Sequence, residues 1–282
     1  MASFTPIIHT YTTDGLRMVV NVFVLETERG VVVIDGATAL CSSDEVRSLI
    51  ETQIRKPLLA ILLTHGHPDH YVGTGRIRGT SRAPIVATQG AADSARRQDE
   101  KKRKSLSANY GANWPQKREF PDRIVGDGDT IVLDGVSFHV HDLGPCESDS
   151  DALWTTVIGG VDHVFVGDVV YNHTHCYMHD GHALHWLQAL DSLLKRYDHT
   201  AVLHCGHGVD CGPEIIHWQK AYIEAFLGTM RSVLGKAGEL SDAAKELLVR
   251  RMKSFLPSEA ILFLMASGLD ETVAALRANG AL

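Results

Sequence analysis

The sequence predicts a layered α/β fold, with sheets inside and helices outside. Short β-branched runs recur as far as Cys205, separated by segments whose apolar residues have helical spacing. From Pro213 onward the pattern is helical throughout. No internal repeat or low-complexity segment interrupts that order.

Taken along the chain, "MVVNVFVLET" and "GVVVIDG" read as two buried strands joined by a hairpin at "ERG". "SSDEVRSLIETQI" follows as a helix, with Ser42 or Ser43 expected as its cap. "PLLAILLT" is a further buried strand, and "APIVAT" another after an intervening helix. "QGAADSARRQDEKKRKSLSANYGANW" starts helical and turns irregular, and its mixed charge run, Arg96 to Lys104, reads as a solvated face. "TIVLDGVSFHVHDLG" reads as a hairpin turning at Asp134-Gly135. "LWTTVIGG" and "HVFVG" form the next strand pair, "HALHWLQALDSLLKRY" a helix, and "TAVLHCG" the last strand. The tail carries "EIIHWQKAYIEAFLGTM", "SDAAKELLVRRMKSFL", "SEAILFLMAS" and "DETVAALRA" as helices. Its "ILFLM" run, Ile261 to Met265, would make a poor exposed surface, so the tail is expected to pack and partly to cover a pocket.

Composition bounds the function. The chain has 282 residues, a formal charge of −7, 44% hydrophobic and 22% charged residues, which suits a globular protein with a substantial core. The acidic balance argues against general nucleic-acid binding. No apolar run approaches the roughly 20 residues of a membrane span. The opening "MASFTPIIHTYTTDG" lacks a basic start and a long apolar stretch, so no secretory signal is read there. The five cysteines are scattered and form no CxxC, which reads as reduced thiols in a cytoplasmic protein.

The chemistry is concentrated in "LLTHGHPDHYVG". His65, His67, Asp69 and His70 fall within six residues, directly after an apolar run. Three further polar groups also follow strand-like runs: Cys146-Glu147, Asp168 and His207. If those strands are neighbours, their ends share one edge. Imidazole and carboxylate are ligand types for zinc and similar divalent ions. Four ligands in one tight turn cannot all reach one tetrahedral ion, but with the other groups they can serve two. Two such ions can hold a hydroxide and activate it at neutral pH.

"THGHPDH" resembles the HxHxDH signature of the metallo-β-lactamase superfamily, and the likeness runs over about residues 18 to 210. "VVVIDGA" with Asp35, "VFVGDVVYN" and "LHCGHG" resemble, in order, the family's segments carrying a structural aspartate, a metal-bridging aspartate and the last histidine. The resemblance implies an αββα sandwich with metals at one edge, here residues 1–212, followed by a helical extension, residues 213–282, packed on it. It implies that His65 and His67 bind one metal, that Asp69, His70 and His207 bind a second, and that Asp168 bridges. Tyr171, three residues past Asp168, resembles the tyrosine that faces the substrate carbonyl in lactonases of this fold.

The sequence departs from the family at the third histidine of the first metal. The usual G-P-x-H-x-D-x-D is here "GPCESDSD", so Glu147 stands where the histidine would be. Cys146 takes that place if the loop shifts by one, and a site with neither ligand would hold one metal. A carboxylate there adds negative charge, weakens the Lewis acidity of the ion and widens the choice from zinc to manganese or iron. His173, His175, His179, His182 and His185 crowd the segment after Asp168, and one or two of them are expected to touch substrate.

The expected function is a cytoplasmic, dinuclear metal-dependent hydrolase. Its metal-bound hydroxide would cleave a carbonyl ester, lactone or thioester of a small molecule, with Asp69 orienting the hydroxide and Tyr171 assisting. A second copy of the chain is a candidate partner; nucleic acid and membrane are not. Two other readings remain beside it: a mononuclear iron enzyme of the same fold that oxygenates sulfur compounds, and a metal-stabilised, non-catalytic binding protein.

Overall fold

A computed structural model describes residues 4–14, 18–235 and 238–282. The start of the stretch read for a secretory signal, residues 1–3, lies outside them.

Eleven strands among these residues form two sheets. The first contains β1 (Ile7–Thr12), β2 (Asn21–Glu26), β3 (Val31–Ile34), β4 (Leu58–Leu62), β5 (Ile85–Thr88) and β6 (Arg123–Val125), side by side in chain order. The second contains β7 (Thr130–Leu133), β8 (Val136–Gly144), β9 (Asp151–Ile158), β10 (Val161–Gly167) and β11 (Val202–Cys205), in the order β11-β10-β9-β8-β7. The hairpin β2–β3 is antiparallel, and β3, β4, β5 and β6 run parallel. The turn between β7 and β8 is made at Asp134 and Gly135, both with φ in the left-handed region, as the two-residue hairpin signal predicts. β1 and the three-residue β6 are edge strands whose sequences carry no strong alternation, and the sequence reading leaves both out.

Helices cover the two outer faces. On the first sheet lie α1 (Leu40–Ser48), the short α2 (Pro68–Tyr71) and α3 (Thr74–Arg78), and the long α4 (Gln89–Tyr110). On the second lie α5 (Ala183–Arg196), α6 (Ile215–Val233), α7 (Asp242–Phe255), α8 (Leu262–Ala266) and α9 (Leu269–Ala278). The result is the αββα sandwich with a C-terminal helical part. Phe23, Ile34, Leu62, Phe138, Trp154 and Phe165 fill the space between the sheets. The tail does not stand apart: Phe226, Met252, Met265 and Leu276 share one apolar cluster with Val164, Leu203 and Trp186.

One expected cap is corrected. α1 starts after Ala39, with no side-chain cap, and Ser42 and Ser43 are buried inside it. The chain turns sharply at Asp35 and runs buried through Thr38, so the helix begins before the serines, and Ser43 Oγ donates back to the Ala39 carbonyl at 3.0 Å.

The sheets are stitched together at one edge. Ala152 N–H donates to Thr64 O at 2.9 Å, Asn21 N–H to Gly206 O at 2.8 Å and Trp154 Nε1–H to Leu63 O at 2.9 Å. These bonds tie the carboxyl end of β4 to β9 and the carboxyl end of β11 to the start of β2. Trp154 is fully buried between the sheets and anchors Leu63, two residues before the histidine cluster. Trp154→Ala is expected to destabilise the fold by about 3–5 kcal/mol in a urea titration, the range for a buried Trp truncation.

Candidate metal centre

All the sequence-predicted ligands meet at that stitched edge. β4 leads through Leu63 and Thr64 into His65-Gly66-His67, and Pro68 opens α2, so Asp69 and His70 occupy its first turn. Gly66 is required there, because a Cβ would lie 2.6 Å from Ala95 N and 2.9 Å from Ala91 O on α4. Asp168 directly follows β10, and His207 follows β11 after Gly206. Glu147 lies in the loop between β8 and β9. That loop is folded around Asp151, whose Oδ2 accepts from the backbone N–H of Ser148 at 2.8 Å and of Cys146 at 3.2 Å.

Two groups of ligand-type atoms result. His65, His67, Glu147 and Asp168 form one, and Asp69, His70 and His207 the other, with the atoms of each group within 4.8 Å of one another. Asp168 touches both, with Oδ1 3.3 Å from His70 Nε2 and Oδ2 3.2 Å from His207 Nε2. Glu147 Oε2 lies 3.1 Å from His67 Nδ1 and 3.9 Å from His65 Nε2. Cys146 belongs to neither group; its thiol points back to Leu143 O at 3.8 Å, in apolar surroundings that push its pKa up. Of the open alternatives at "GPCESDSD", the structure therefore brings Glu147 to the site.

The outward nitrogen of each ligand histidine is held by the chain. His70 Nδ1 bonds Asp35 Oδ2 at 2.9 Å, His67 Nε2 bonds Asp180 Oδ2 at 3.1 Å and His207 Nδ1 bonds Val19 O at 3.2 Å. Thr64 Oγ1 donates to Asp35 Oδ2, so it accepts from His65 Nδ1 at 3.0 Å. Every ring thus has its other nitrogen directed inward, the arrangement that orients imidazole ligands. His65 Nε2, His70 Nε2, Glu147 Oε2 and Asp168 Oδ1 are buried with no hydrogen-bond partner among the described residues. Nitrogen and carboxylate oxygen directed at common points, and otherwise unsatisfied, fit divalent ions.

The electrostatics demand positive charge here. Burial opposes ionisation of Asp168, yet His207 and His70 hold its pKa well below the ordinary value. Burial likewise opposes charging of His70, but Asp168, Asp69 and Asp35 hold it well above its ordinary value. His207 is pushed up to about 10 against burial, chiefly by Asp168. Burial raises Glu147 to about 8, although His67 lowers it, and burial raises Asp151 to about 7. Cations would take the place of the inward imidazole protons as they bind.

Tyr171 enters the same constellation. A turn at Asp168 to Val170, with Val169 N–H bonded to Val166 O, brings its hydroxyl 2.9 Å from Asp168 Oδ2 and 3.0 Å from Glu147 Oε1. Its ring stacks on His207 at 5.4 Å between centroids. Burial and the two carboxylates push the phenol well above its ordinary pKa, so it remains a donor.

A cavity of about 740 Å³ opens over these residues, walled by α4 and by the α8–α9 segment. Arg97, Lys101 and Lys102 line it, so the charge run of α4 is not only a solvated face. Phe263 and Leu264 of the "ILFLM" run roof it. Of the five clustered histidines, His179 lines the cavity. His175 is tied to Tyr222 Oη and Ser258 O, and His182 to Asp149. His173 packs on Trp218, and His185 is exposed. Sequence reasoning missed Asp180, Tyr177 and the loop-holding Asp151. Asp180 precedes Gly181 and reads as an ordinary turn residue, and only the spatial proximity of His67 gives it a role.

Gly206 tests the geometry. A Cβ there would lie 2.1 Å from Asp168 Oδ1 and 2.8 Å from His70 Cε1. Gly206→Ala is expected to weaken metal binding at least about tenfold in a chelator competition, while circular dichroism remains that of the folded protein. Unchanged affinity would separate the Asp168–His70 contact from metal binding.

Solved structures share this architecture. A metallo-β-lactamase family protein from Thermus thermophilus superposes with a TM-score of 0.68 at 20% identity, over 98% of this chain and 94% of that one. A β-lactamase domain protein from Burkholderia ambifaria gives 0.66 at 17% identity, over 94% and 87%. ETHE1 from Myxococcus xanthus gives 0.57 at 18%, over 87% and 98%. At these identities the likeness is one of fold. No curated protein matches the sequence. The family profile of the metallo-β-lactamase superfamily, however, matches residues 15–207, the span that carries both sheets' ligands, and the chain belongs to that superfamily.

Proposed function

We propose that this chain is a hydrolase of small-molecule carbonyl esters, lactones or thioesters that works with two divalent ions, zinc first and manganese or iron as alternatives. The observation that carries the reading is the set of seven buried ligand-type side chains at the floor of a substrate-sized cavity, with unsatisfied atoms directed to common points. Ions bound there supply Lewis acidity toward a carbonyl oxygen and water that is activated at neutral pH.

The chain's own residues do the rest. His65, His67 and Glu147 would hold one ion, Asp69, His70 and His207 the other, and Asp168, which belongs to one group and lies against the other, could serve both. Asp69 lines the cavity and is kept ionised by His70 and His207 against its burial, so it can accept a hydrogen bond from the attacking water and orient it. Tyr171 lines the cavity too, and its hydroxyl donates where charge develops on the substrate oxygen, in exchange for its contact with Asp168.

Metal-loaded protein, reconstituted separately with zinc, manganese and iron, is assayed on a panel of carbonyl esters, lactones and thioesters. Turnover of at least one class, with about two ions per chain by elemental analysis, is the expected result. A maximum of one iron, with oxygen uptake on a persulfide and no hydrolysis, would replace this reading with the iron-oxygenase one. Metal binding without turnover of any kind would leave a binding protein.

Glu147→Ala is expected to lower occupancy of the first group by at least about tenfold in affinity, while His70 and His207 keep the second ion. Unchanged occupancy would remove Glu147 from the ligand set. Tyr171→Phe is expected to lower kcat on the order of 10²–10³. Because the hydroxyl also bridges Glu147 and Asp168, the same variant should weaken metal binding roughly 10-fold. Wild-type turnover in Tyr171→Phe would reduce the tyrosine to a packing residue.

A further inference from the structure

We infer that the α4 wall of the cavity is a recognition site for an anionic oxygen group, so that the substrate is an acyl compound carrying a carboxylate or phosphate away from its scissile carbonyl. This rests on the hydrolase reading for the word "substrate", but the wall itself does not depend on it.

The argument starts from Tyr177. Lys102 Nζ donates to its hydroxyl oxygen at 2.9 Å, and an ammonium can only donate. The phenol therefore accepts from Lys102, and among the described residues no acceptor takes its own hydrogen. A hydroxyl polarised by a cation on its oxygen is a strengthened donor. A phenol keeps that hydrogen at neutral pH. The ring is fixed on both sides. It stands edge-on to the ligand His67 at 5.0 Å between centroids and is stacked on His179 at 4.5 Å. The donor is thus rigid and close to the metal centre.

Two cations stand with it. Among the described residues Lys102 forms no ion pair, although Asp180 feels its charge, and Lys101, exposed on the same wall, has neither an ion-pair nor a hydrogen-bond partner. The third basic residue, Arg97, is already bound to Asp149 at 2.6 Å. The lining carboxylates near this wall are likewise engaged, Asp149 by Arg97 and His182, and Asp180 by His67. Glu271 stands on the α9 wall. Donor capacity without acceptors is therefore concentrated at Tyr177, Lys102 and Lys101, while Leu106, Phe263 and Leu264 offer apolar surface for the body of a ligand. Three donors and two cations without an ion-pair partner suit an anionic oxygen group better than a neutral one.

The test compares the 4-nitrophenyl monoester of glutaric acid with neutral 4-nitrophenyl butyrate on the metal-loaded protein. The wild type should favour the acid in kcat/KM. Lys101→Glu and Lys102→Gln should each lower that preference about five- to tenfold, and Tyr177→Phe about fivefold. A wild-type preference for the neutral ester, or a ratio unmoved in all three variants, overturns the inference. Calorimetry with 4-phenylbutyrate, 3-phenylpropyl phosphate and neutral 4-phenylbutanol keeps the two readings apart. Anion binding that weakens about fivefold in Lys101→Glu, with no ester turned over, upholds the wall and sinks the hydrolase reading, and the tighter of the two anions names the group. Anion binding insensitive to all three substitutions overturns the wall.

Discussion

The constraint on which the rest of this structure depends is the burial of charge. Asp35, Asp69, Glu147, Asp151 and Asp168 lie with His65, His67, His70 and His207 at one edge of the sandwich, nearly all closed to solvent. Carboxylates in such a place are costly unless positive charge and hydrogen bonds compensate them. The neighbouring architecture is built for that compensation. Asp35 adopts φ of 61°, in the left-handed region, and there meets Thr64 N–H, Thr64 Oγ1 and His70 Nδ1 together. One side chain thereby locks the end of β3 to the end of β4 and sets the rotation of a ligand ring. Backbone strain at such a residue persists where the surroundings over-determine it.

Much of this was legible in the sequence because the signals are local. Four ligand-type residues fall in one six-residue turn, and buried strands such as "AILL" and "HVFV" are unmistakable as apolar runs. The register of "GPCESDSD" also carried through, since Glu147 and not Cys146 reaches His67. What was illegible depends on distance along the chain. The partner of His67 is Asp180, 113 residues away, and nothing near either one announces the pair. The edge strands β1 and β6 pair on one side only, so their sequences are under weaker patterning. The run Arg96 to Lys104 looks amphiphilic and solvated by composition, and only the tail helices turn one side of it into a cavity wall.

That dependence makes the helical tail more than an appendage. α8 has a left-handed residue at each end, Ile261 with φ of 60° and Gly268 with φ of 62°, so the chain reverses sharply on both sides of a five-residue helix. A β-branched residue in that region costs on the order of 1–3 kcal/mol and needs a counterweight. The counterweight is visible in the histidine-rich segment: His179 Nε2 bonds Leu264 O at 2.7 Å, and His175 N–H bonds Ala260 O at 3.1 Å. Met265 is buried beneath while Phe263 is 54% exposed over the cavity. Two of the five clustered histidines, His175 and His179, thus fasten the roof.

The exchange of histidine for Glu147 has a structural correlate in Tyr171. A neutral imidazole would leave Asp168 as the carboxylate beside the tyrosine. With Glu147 in place, two buried carboxylates approach one phenol, at 2.9 and 3.0 Å. One hydrogen serves two acceptors, so the hydroxyl relieves repulsion between carboxylates that would otherwise raise each other's pKa. Each residue therefore supports the other. Without the phenol, Glu147 faces Asp168 unscreened at the spot where burial already raises it to about 8. Without Glu147, the phenol has one acceptor and a freer rotation. The tyrosine thus supports the carboxylate in the first group of ligand-type residues, and the catalytic role proposed for it would be layered on that electrostatic one.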